Sequence, residues 1–194
     1  MRLPRLVVVT DRTQAAGPLT DVVTAAVDAG ARAVLLRDRD LPDRERAALA
    51  ADLRAVLEPV GGLLVTAGAG SSDAVHLAAA EPFPELRPRL VGRSCHSAAE
   101  LTRAREEGCD WAFLSPVAPT ASKPGHGPAL GVEGFARLAR LGPPAHALGG
   151  VVPADVPALM AAGAHGVAVM GPVMRDPSVV AGYLAALTSA VTGS

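Results

Sequence analysis

Short apolar runs alternate with amphipathic segments along the whole chain. Eight of these runs are four or five residues long and apolar on both faces, which is typical of strands in a parallel sheet that helices cover. We predict strands at residues 6–10, 33–36, 62–66, 74–77, 90–93, 111–114, 145–148 and 166–170. The pattern therefore indicates a sheet of eight buried strands.

Segments with a helical spacing of apolar positions separate most of these strands. The clearest one follows Pro42 and runs until Pro59 and Gly61, which are residues that end a helix. Further helices are predicted at 19–29, 132–141 and 153–162, around Leu101 and Ala104, and from Asp176 onward. The stretch 67–73 is too short for a full helix.

This alternation of strands and helices predicts an α/β protein, built either as a (β/α)8 TIM barrel or as an open doubly wound sheet. The count of eight strands favours the barrel. The residues after the first strand, Val9-Thr10-Asp11-Arg12, contain no GxGxxG fingerprint of a dinucleotide-binding sheet. We therefore predict a single-domain TIM barrel over residues 1–194.

The composition narrows the classes of function. The net charge is −1 and no long basic run occurs, so the chain lacks the charge pattern of a protein that binds nucleic acid or a membrane surface. No apolar run is long enough for a signal peptide core or a membrane span. The two cysteines, Cys95 and Cys109, are too few for a disulfide scaffold or a zinc site. We expect a reduced, cytoplasmic protein.

One polar segment, residues 115–131, is unusually long for a connection in a compact domain. Its four prolines and three glycines restrict the shapes that the backbone can adopt. Its reactive groups are the hydroxyls of Thr120 and Ser122, the ammonium of Lys123 and the imidazole of His126. Connections of this length typically serve as binding loops or active-site lids.

In a TIM barrel the reactive groups lie at the carboxyl ends of the strands, so further candidate residues are expected there. Loops after strands seven and eight commonly bind phosphate through backbone N–H groups and the start of the following helix. Here those loops begin with Gly149-Gly150 and Met170-Gly171, where glycine lets the backbone approach an anion closely. The predicted donors include the N–H groups of Gly150, Val151 and Gly171.

Several polar strand ends also have a purely structural interpretation. Arg37-Asp38-Arg39 can form a salt-bridged rim instead of a ligand site. His96 can cap the following helix, and Cys95 can pack as a small hydrophobic residue. His76 and His146 lie within strand patterns and are expected to be structural.

An ordered set of short motifs runs through these strand ends. The motifs are Val9-Thr10-Asp11, Leu36-Arg37-Asp38-Arg39, Gly92-Arg93-Ser94-Cys95-His96-Ser97, Pro119-Thr120-Ala121-Ser122-Lys123, Ala147-Leu148-Gly149-Gly150 and residues 162–170. Taken together they resemble the thiamine phosphate synthase/TenI family of (β/α)8 barrels over nearly the whole chain. The set is more specific for this superfamily than for one of its branches.

The synthase branch joins an aminopyrimidine diphosphate to a thiazole phosphate and expels pyrophosphate with the help of Mg²⁺. For that branch the resemblance implies that Arg37 meets the diphosphate, while the loops at Gly149 and Gly171 hold the thiazole phosphate. The side chains that it implies for contacts with substrate phosphate are those of Thr120, Ser122 and Lys123.

This chain departs from the synthase pattern at three strand ends. Leu35 stands where the synthase has Gln, and Thr66-Ala67 stand where it has Asn-Asp. Residues 78–81, Ala-Ala-Ala-Glu, stand in place of Gly-Gln-Glu-Asp. Mg²⁺ needs hard oxygen ligands to neutralise a leaving diphosphate, and Glu81 alone is a poor substitute for two aspartates. These losses disfavour the metal-dependent transfer.

The TenI branch also lacks those aspartates and acts as a thiazole tautomerase, which shifts a proton on a thiazole phosphate carboxylate. Such a shift needs a base, a phosphate anchor and a cation for the carboxylate, but no metal. A histidine that a TenI-type site carries after strand six corresponds here to Pro116, so another group must carry the proton. The candidate proton carriers are His126, Cys95 and His96. The candidates for substrate and phosphate binding are Arg37, Arg39, Thr120, Ser122, Lys123, Gly149, Gly150, Met170 and Gly171.

From the sequence we predict a TIM-barrel enzyme of thiamine biosynthesis that acts as a metal-free thiazole phosphate tautomerase without a cofactor. Its expected partner is a small-molecule thiazole phosphate, and the many alanines are compatible with a homodimer. The first alternative is a Mg²⁺-dependent thiamine phosphate synthase. The second is a barrel that binds a thiamine-related phosphate for regulation without turnover.

Overall fold

Eight parallel strands form a closed barrel in a computed structural model that describes residues 2–68, 72–119 and 129–192. The strands are β1 (Leu6–Val9), β2 (Ala33–Leu36), β3 (Leu63–Ala67), β4 (Ala74–Leu77), β5 (Leu90–Cys95), β6 (Trp111–Leu114), β7 (Ala145–Leu148) and β8 (Gly166–Val169). Each strand pairs with the next one along the chain, and β8 pairs with β1 to close the ring. The predicted TIM-barrel fold is confirmed.

Helices flank the barrel on its outer side. Those that the described residues form are α1 (Leu19–Asp28), α2 (Asp43–Leu57), α3 (Ala98–Glu106), α4 (Gly131–Ala139), α5 (Val156–Ala161), α6 (Gly171–Arg175) and α7 (Val180–Thr192). Short 3₁₀ turns at Glu58–Val60, Pro153–Asp155 and Pro177–Val179 precede or follow them. None of the described helices combines the length and the apolar character that crossing a bilayer requires.

The helical predictions were right for the long amphipathic segments and incomplete for the short ones. The helix after Pro42 ends as expected, with Gly61 at a φ of 63° that favours glycine. The helix predicted over 153–162 is divided into a 3₁₀ turn and α5, because Pro157 lacks the N–H that would continue the helix. Helix α6 was missed, since five residues are too few to show a helical period.

The described parts of the links on either side of β4 contain no helix. The fully buried guanidinium of Arg93, on β5, holds the loop after β4 instead. Its Nη1 donates hydrogen bonds to the carbonyl oxygens of Ala78, Ala79 and Glu81 at 2.9, 3.1 and 2.6 Å. Its Nη2 lies 2.6 Å from Oε2 of Glu107, so the buried charge is paired. The backbone beside Glu81 is thereby fixed against the barrel.

Side chains alternate between the inside and the outside of the barrel wall, as the two-residue period of a strand requires. The inner core includes Val7, Val9, Leu35, Val65, Trp111 and Phe113. The outer core, between strands and helices, includes Val8, Val34, Leu36, Val91, Cys95 and Leu114. Burying one such Val, Leu or Phe side chain stabilises the fold by roughly 1.5–3 kcal/mol. A step of one residue along a strand therefore moves a side chain from one core to the other.

Two histidines close the amino-terminal end of the barrel. Nε2 of His146 lies 2.9 Å from the carbonyl oxygen of Pro4, and Nε2 of His165 lies 3.1 Å from that of Leu3. The pKa of His146 is lowered to about 4, mainly by burial, against the opposing effect of the Pro4 carbonyl and with a smaller contribution from the nearby His165. Nδ1 of His146 is buried without a partner, so a proton added there would find no acceptor. The structural role that the sequence suggested for His146 agrees with this position.

We expect the free energy of unfolding to fall as the pH drops from about 7 to 4. The unfolded chain binds a proton at His146 near pH 6.5, whereas the folded chain binds it only near pH 4. Between these values the unfolded state holds more protons, so stability decreases on acidification, by on the order of 3 kcal/mol for this group. Urea unfolding at a series of pH values measures the slope.

The matched variant is His146→Gln, which keeps an N–H donor for the Pro4 carbonyl but does not titrate. Its stability should depend less steeply on pH than that of the wild type over the same range. An unchanged slope would show that His146 does not carry the effect. His76, whose pKa is also lowered by burial, acts in the same direction in both proteins.

Candidate active site

The carboxyl ends of the strands surround a cavity of about 1190 Å³. This is the face of a TIM barrel on which active sites lie. Among the candidate catalytic and binding residues, those on the cavity wall are Arg37, Arg39, His96, Gly149, Gly150, Met170 and Gly171. The fold therefore brings these seven residues together, and their chemical roles stay predictions.

Four predicted residues, Thr120, Ser122, Lys123 and His126, lie outside the described residues. The two flanks of their segment are described and come close together. Leu130 N–H donates to the carbonyl oxygen of Pro116 at 3.0 Å, and Gly131 N–H donates to that of Val117 at 2.9 Å. Pro116 and Pro119 both line the cavity. The segment thus leaves and rejoins the barrel beside the candidate site.

Cys95 does not face the cavity, so its proposed role as a proton carrier needs correction. It is fully buried in the outer core, because it follows the inward-facing Ser94 by one residue on β5. Burial raises the pKa of its thiol to about 12, with a further contribution from the negative charge of Glu100. The alternative interpretation, a packed small hydrophobic residue, agrees with the structure.

Arg37 and Arg39 lie on the rim in ion pairs. Nη2 of Arg37 is 3.2 Å from Oδ2 of Asp11, and Nη2 of Arg39 is 2.6 Å from Oε2 of Glu81. Both arginine side chains remain 45% exposed. Ion pairs this exposed contribute only about 0–1 kcal/mol, so an anionic ligand can compete for the guanidinium groups. The salt-bridged rim and the ligand site are therefore compatible interpretations.

A buried carboxylate, Asp38, fixes the ends of β1 and β2. It accepts hydrogen bonds from Thr10 Oγ1 at 2.5 Å and from Arg12 N–H at 2.7 Å. Thr10 Oγ1 in turn accepts a hydrogen bond from Arg37 N–H at 3.0 Å. The backbone of Arg37 is thereby held from below, while its guanidinium stays accessible. The sequence showed only a run of charges here and did not distinguish the buried carboxylate from its exposed neighbours.

Two further carboxylates of the rim, the half-buried Asp11 and the exposed Asp40, carry negative charge that balances the arginines. Burial alone would raise the pKa of Asp11, but hydrogen bonds from Thr13 and Gln14 and the charge of Arg37 together lower it. Asp40 lies 2.6 Å from Nη1 of Arg12, and this contact lowers the pKa of the carboxyl group. Both carboxylates are therefore ionised at neutral pH.

The side chains at the cavity do not fit a Mg²⁺ ion that must sit beside a diphosphate. Within the described ranges, no three His, Cys, Asp or Glu side chains gather closely enough to hold a metal. The remaining stretches, 1, 69–71, 120–128 and 193–194, contain no Asp or Glu at all. Glu81 accepts hydrogen bonds from Arg39 and from Ala78 N–H. Mg²⁺ beside a diphosphate takes one or two protein carboxylates and completes its octahedron with phosphate and water oxygens. The carboxylates beside the cavity are all engaged by arginines, hydroxyls or backbone N–H groups: Asp11, Asp38, Asp40 and Glu81.

Backbone N–H groups after β7 are available to an anion. Gly149 and Gly150 have φ values of 93° and 69°, a region that favours glycine. A Cβ on Gly150 would lie 2.7 Å from the carbonyl oxygen of Pro119, so a side chain does not fit there. The N–H groups of Gly149, Gly150 and Val151 donate to no acceptor in the described part of the chain. These donors line the cavity wall.

The end of β8 offers a second group of donors on the same side of the cavity. Gly171 begins α6, and N–H groups in the first turn of a helix have no acceptor within the helix. A Cβ on Gly171 would lie 2.9 Å from Nη1 of Arg175, which itself lines the cavity and contacts Gln14 at 3.3 Å. Amide groups and a guanidinium thus converge near the loops that the sequence predicted for phosphate binding.

His96 is an exposed imidazole on the cavity wall. Its Nδ1 lies 2.8 Å from the carbonyl oxygen of Ser115, which can only accept, so Nδ1 carries the proton in the neutral ring. Nε2 is then left as an acceptor. Capping of α3 is performed by the side chain of Ser97, which accepts from Glu100 N–H. The ring of His96 is therefore free of the capping role that the sequence suggested.

Three inward-facing side chains, those of Trp111, His76 and Ser94, form a hydrogen-bonded group that the sequence did not predict. Trp111 Nε1 donates to Nδ1 of His76 at 3.1 Å, and Nε2 of His76 lies 3.0 Å from Oγ of Ser94. His76 and Ser94 line the cavity. The alternation of strand residues would have placed His76 inside the barrel, but no sequence signal identified its partners.

Comparisons with known proteins agree with the sequence-based resemblance. A family model described as thiamine monophosphate synthase matches residues 6–173. A putative thiamine-phosphate synthase of Geobacter sulfurreducens is 37% identical over 187 residues, covering 89% of this chain and 87% of that protein. A thiamine-phosphate synthase of Methanoculleus marisnigri is 36% identical over 190 residues, covering 91% and 90%. These names favour the transferase alternative over the isomerase.

Solved structures with the same fold include two thiamine phosphate pyrophosphorylases. That of Pyrococcus furiosus superposes with a TM-score of 0.79 at 24% identity, covering 97% of this chain and 96% of the other. That of Bacteroides thetaiotaomicron gives 0.67 at 21% identity, covering 99% and 98%. At these identities the likeness concerns the barrel fold.

We expect both cysteines to resist thiol reagents in the native protein. Burial raises the pKa of Cys95 to about 12, which leaves roughly one thiol in 10⁴ ionised at pH 8. Labelling with a thiol reagent, followed by mass spectrometry, should therefore be at least tenfold slower in native than in unfolded protein. Rapid labelling of native Cys95 would contradict its placement in the outer core.

Proposed function

We propose, because this chain belongs to the thiamine monophosphate synthase family, that its cavity binds and transforms a thiazole monophosphate in thiamine biosynthesis. The phosphate lies against the backbone N–H groups after β7 and β8. The support for this site is that Gly149, Gly150 and Val151 present donors with no acceptor in the described residues, on the wall of a cavity large enough for such a ligand. Small-molecule sites typically occupy about 300–1,000 Å³.

The reaction that the side chains support best is a metal-independent proton shift on the thiazole ring. The observation that supports this choice is the donor set, which offers hydrogen-bond donors and paired arginines but, among the residues that the structure describes, no carboxylate cluster for a metal. A proton shift on a monophosphate releases no diphosphate, so it needs no divalent ion to neutralise a leaving group. The tautomerase reaction therefore requires only the kinds of group that the cavity provides, namely hydrogen-bond donors, arginines and a histidine.

His96 is the base in this mechanism. Nε2 takes a proton from one carbon of the ligand and returns it to another carbon. Substrate and product therefore have the same atoms and the same charge, and His96 ends in its starting state. The Ser115 carbonyl keeps the proton on Nδ1 and so directs Nε2 to the ligand. Arg37 and Arg39 hold the carboxylate of the ligand, in exchange for Asp11 and Glu81.

The second candidate is the thiamine phosphate synthase reaction itself, which the names of the relatives favour. In this reading Arg37 and Arg39 meet the diphosphate of the pyrimidine substrate. Mg²⁺ would then need ligands from the substrate, since the described carboxylates do not form a site for it. The two reactions share the phosphate-binding amides and differ in the requirement for a metal.

One pair of assays decides between them. With a thiazole phosphate carboxylate as substrate and EDTA present, we expect the ring to become aromatic. Ultraviolet absorbance, or proton exchange in NMR, measures this change. We expect His96→Gln to lower kcat about 100-fold, while Cys95→Ala, away from the cavity, keeps it. Pyrophosphate release from both synthase substrates, only with Mg²⁺, would overturn the tautomerase. Tight ligand binding without either reaction would support the hypothesis that the protein binds the phosphate for regulation without turnover.

The phosphate site is tested separately with Gly150→Ala. An added Cβ meets the Pro119 carbonyl oxygen and turns the amide groups away, so the Kd of thiazole phosphate should rise about tenfold or more. Gly61→Ala is the matched control, since Gly61 has a similar φ of 63° but a Cβ there would meet no described residue beyond its chain neighbours within 4 Å. Calorimetry should show wild-type affinity for the control. Equal losses in both variants would remove the support for this phosphate site.

A further inference from the structure

A chain of three hydrogen-bonding side chains crosses the inner wall of the barrel. Trp111 on β6 donates to His76 on β4, and His76 contacts Ser94 on β5, at 3.1 and 3.0 Å. The indole and the imidazole are buried, and the imidazole and Ser94 both line the cavity. The chain thus leads from the core to the ligand site.

A glycine makes this arrangement possible. Gly92 on β5 lies between the two aromatic residues in the sheet, paired with His76 on one side and with Trp111 on the other. A Cβ on Gly92 would lie 2.0 Å from Cε2 of Trp111, so the indole occupies the space of the missing side chain. Trp111 can therefore reach across β5 to the ring of His76.

The direction of each hydrogen bond follows from the chemistry of the groups. An indole N–H only donates, so Nδ1 of His76 accepts. A neutral imidazole has one N–H, which must then be on Nε2, and that N–H donates to Oγ of Ser94. With its oxygen already accepting, Ser94 has its own hydroxyl proton left to donate into the cavity.

His76 stays neutral, which keeps this direction constant. Burial lowers its pKa to about 3, and the positive charges of Arg39 and Arg93, like a proton on His146, act in the same direction, against Glu81. The ring of Phe113, whose centroid is 4.2 Å away, adds to the apolar surroundings. Neither nitrogen gains or loses a proton at neutral pH.

We propose that Trp111 and His76 are positioning residues that hold Ser94 as a hydrogen-bond donor to an acceptor atom of the bound ligand. The inference rests on the proposed function, since it assumes that the ligand occupies the cavity. A ring nitrogen or a carboxylate oxygen has the required chemistry, because it can accept the hydroxyl proton that Ser94 still has to donate. Ser94 accordingly helps to orient the ligand.

The first test needs no ligand. Two-dimensional ¹⁵N NMR of the full chain should show His76 as the Nε2–H tautomer, without titration between pH 5 and 8. In Trp111→Phe the acceptor role of Nδ1 is no longer enforced, so we expect the Nδ1–H tautomer or a titration to appear. An Nδ1–H tautomer in the wild type would overturn the proposal, whether or not the proposed function is correct.

The second test replaces His76 by Gln or by Asn, which carry the same amide group on side chains of different length. The side-chain amide of Gln can approach the position of Nε2 and donate to Ser94, whereas that of Asn ends near Nδ1. We expect His76→Asn to weaken thiazole phosphate binding or kcat/KM about tenfold, as Ser94→Ala does, and His76→Gln to restore most of it. Equal behaviour of the Gln and Asn variants would contradict the positioning role.

The last control separates positioning from simple stability. If His76 acts through the serine, His76→Asn should cause no further loss of affinity when Ser94 is already Ala. A merely structural histidine would cost the same in both backgrounds, and that result would refute the inference. If the wild type fails to bind the thiazole phosphate at all, the proposed function fails, while the tautomer of His76 remains measurable by NMR.

Discussion

Closure of eight parallel strands into one ring is the constraint on which the site depends. In a closed barrel the strand period of two divides the side chains strictly into an inner and an outer set. Ser94 and Cys95 are neighbours in the chain, yet the first faces the cavity and the second is packed under the helices. The same closure brings the loops after β7 and β8 beside the arginines after β2.

The barrel brings arginines and carboxylates together at the carboxyl ends of its strands. The arginines after β1 and β2 are each matched by a carboxylate, and one carboxylate, Asp38, is buried and used to fix the backbone. What remains for a ligand is a set of half-exposed guanidinium groups and unpaired amide groups. Such a mouth is suited to anions, and its carboxylates are engaged in ways that do not suit a divalent ion. This balance supports a monophosphate ligand more than a metal-bound diphosphate.

Much of the fold could be predicted from the sequence, because each strand is an apolar run bounded by polar or glycine residues. The location of the candidate site could be predicted from the fold class, since Gly149, Gly150 and Arg37 directly follow predicted strands and line the cavity. The short helix α6 was not predictable, because five residues carry no periodic signal. The neighbours of His76 were not predictable either, since they depend on the missing side chain of Gly92 and on registers between three strands.

The decisive experiment is a crystal structure with a bound thiazole phosphate carboxylate. We expect the phosphate to lie against the N–H groups of Gly150, Val151 and Gly171, with the ring between His96 and Ser94 and without a coordinated metal. A phosphate bound elsewhere would contradict the anion site. A Mg²⁺ ion coordinated by protein carboxylates at the cavity would contradict the choice of a metal-independent reaction.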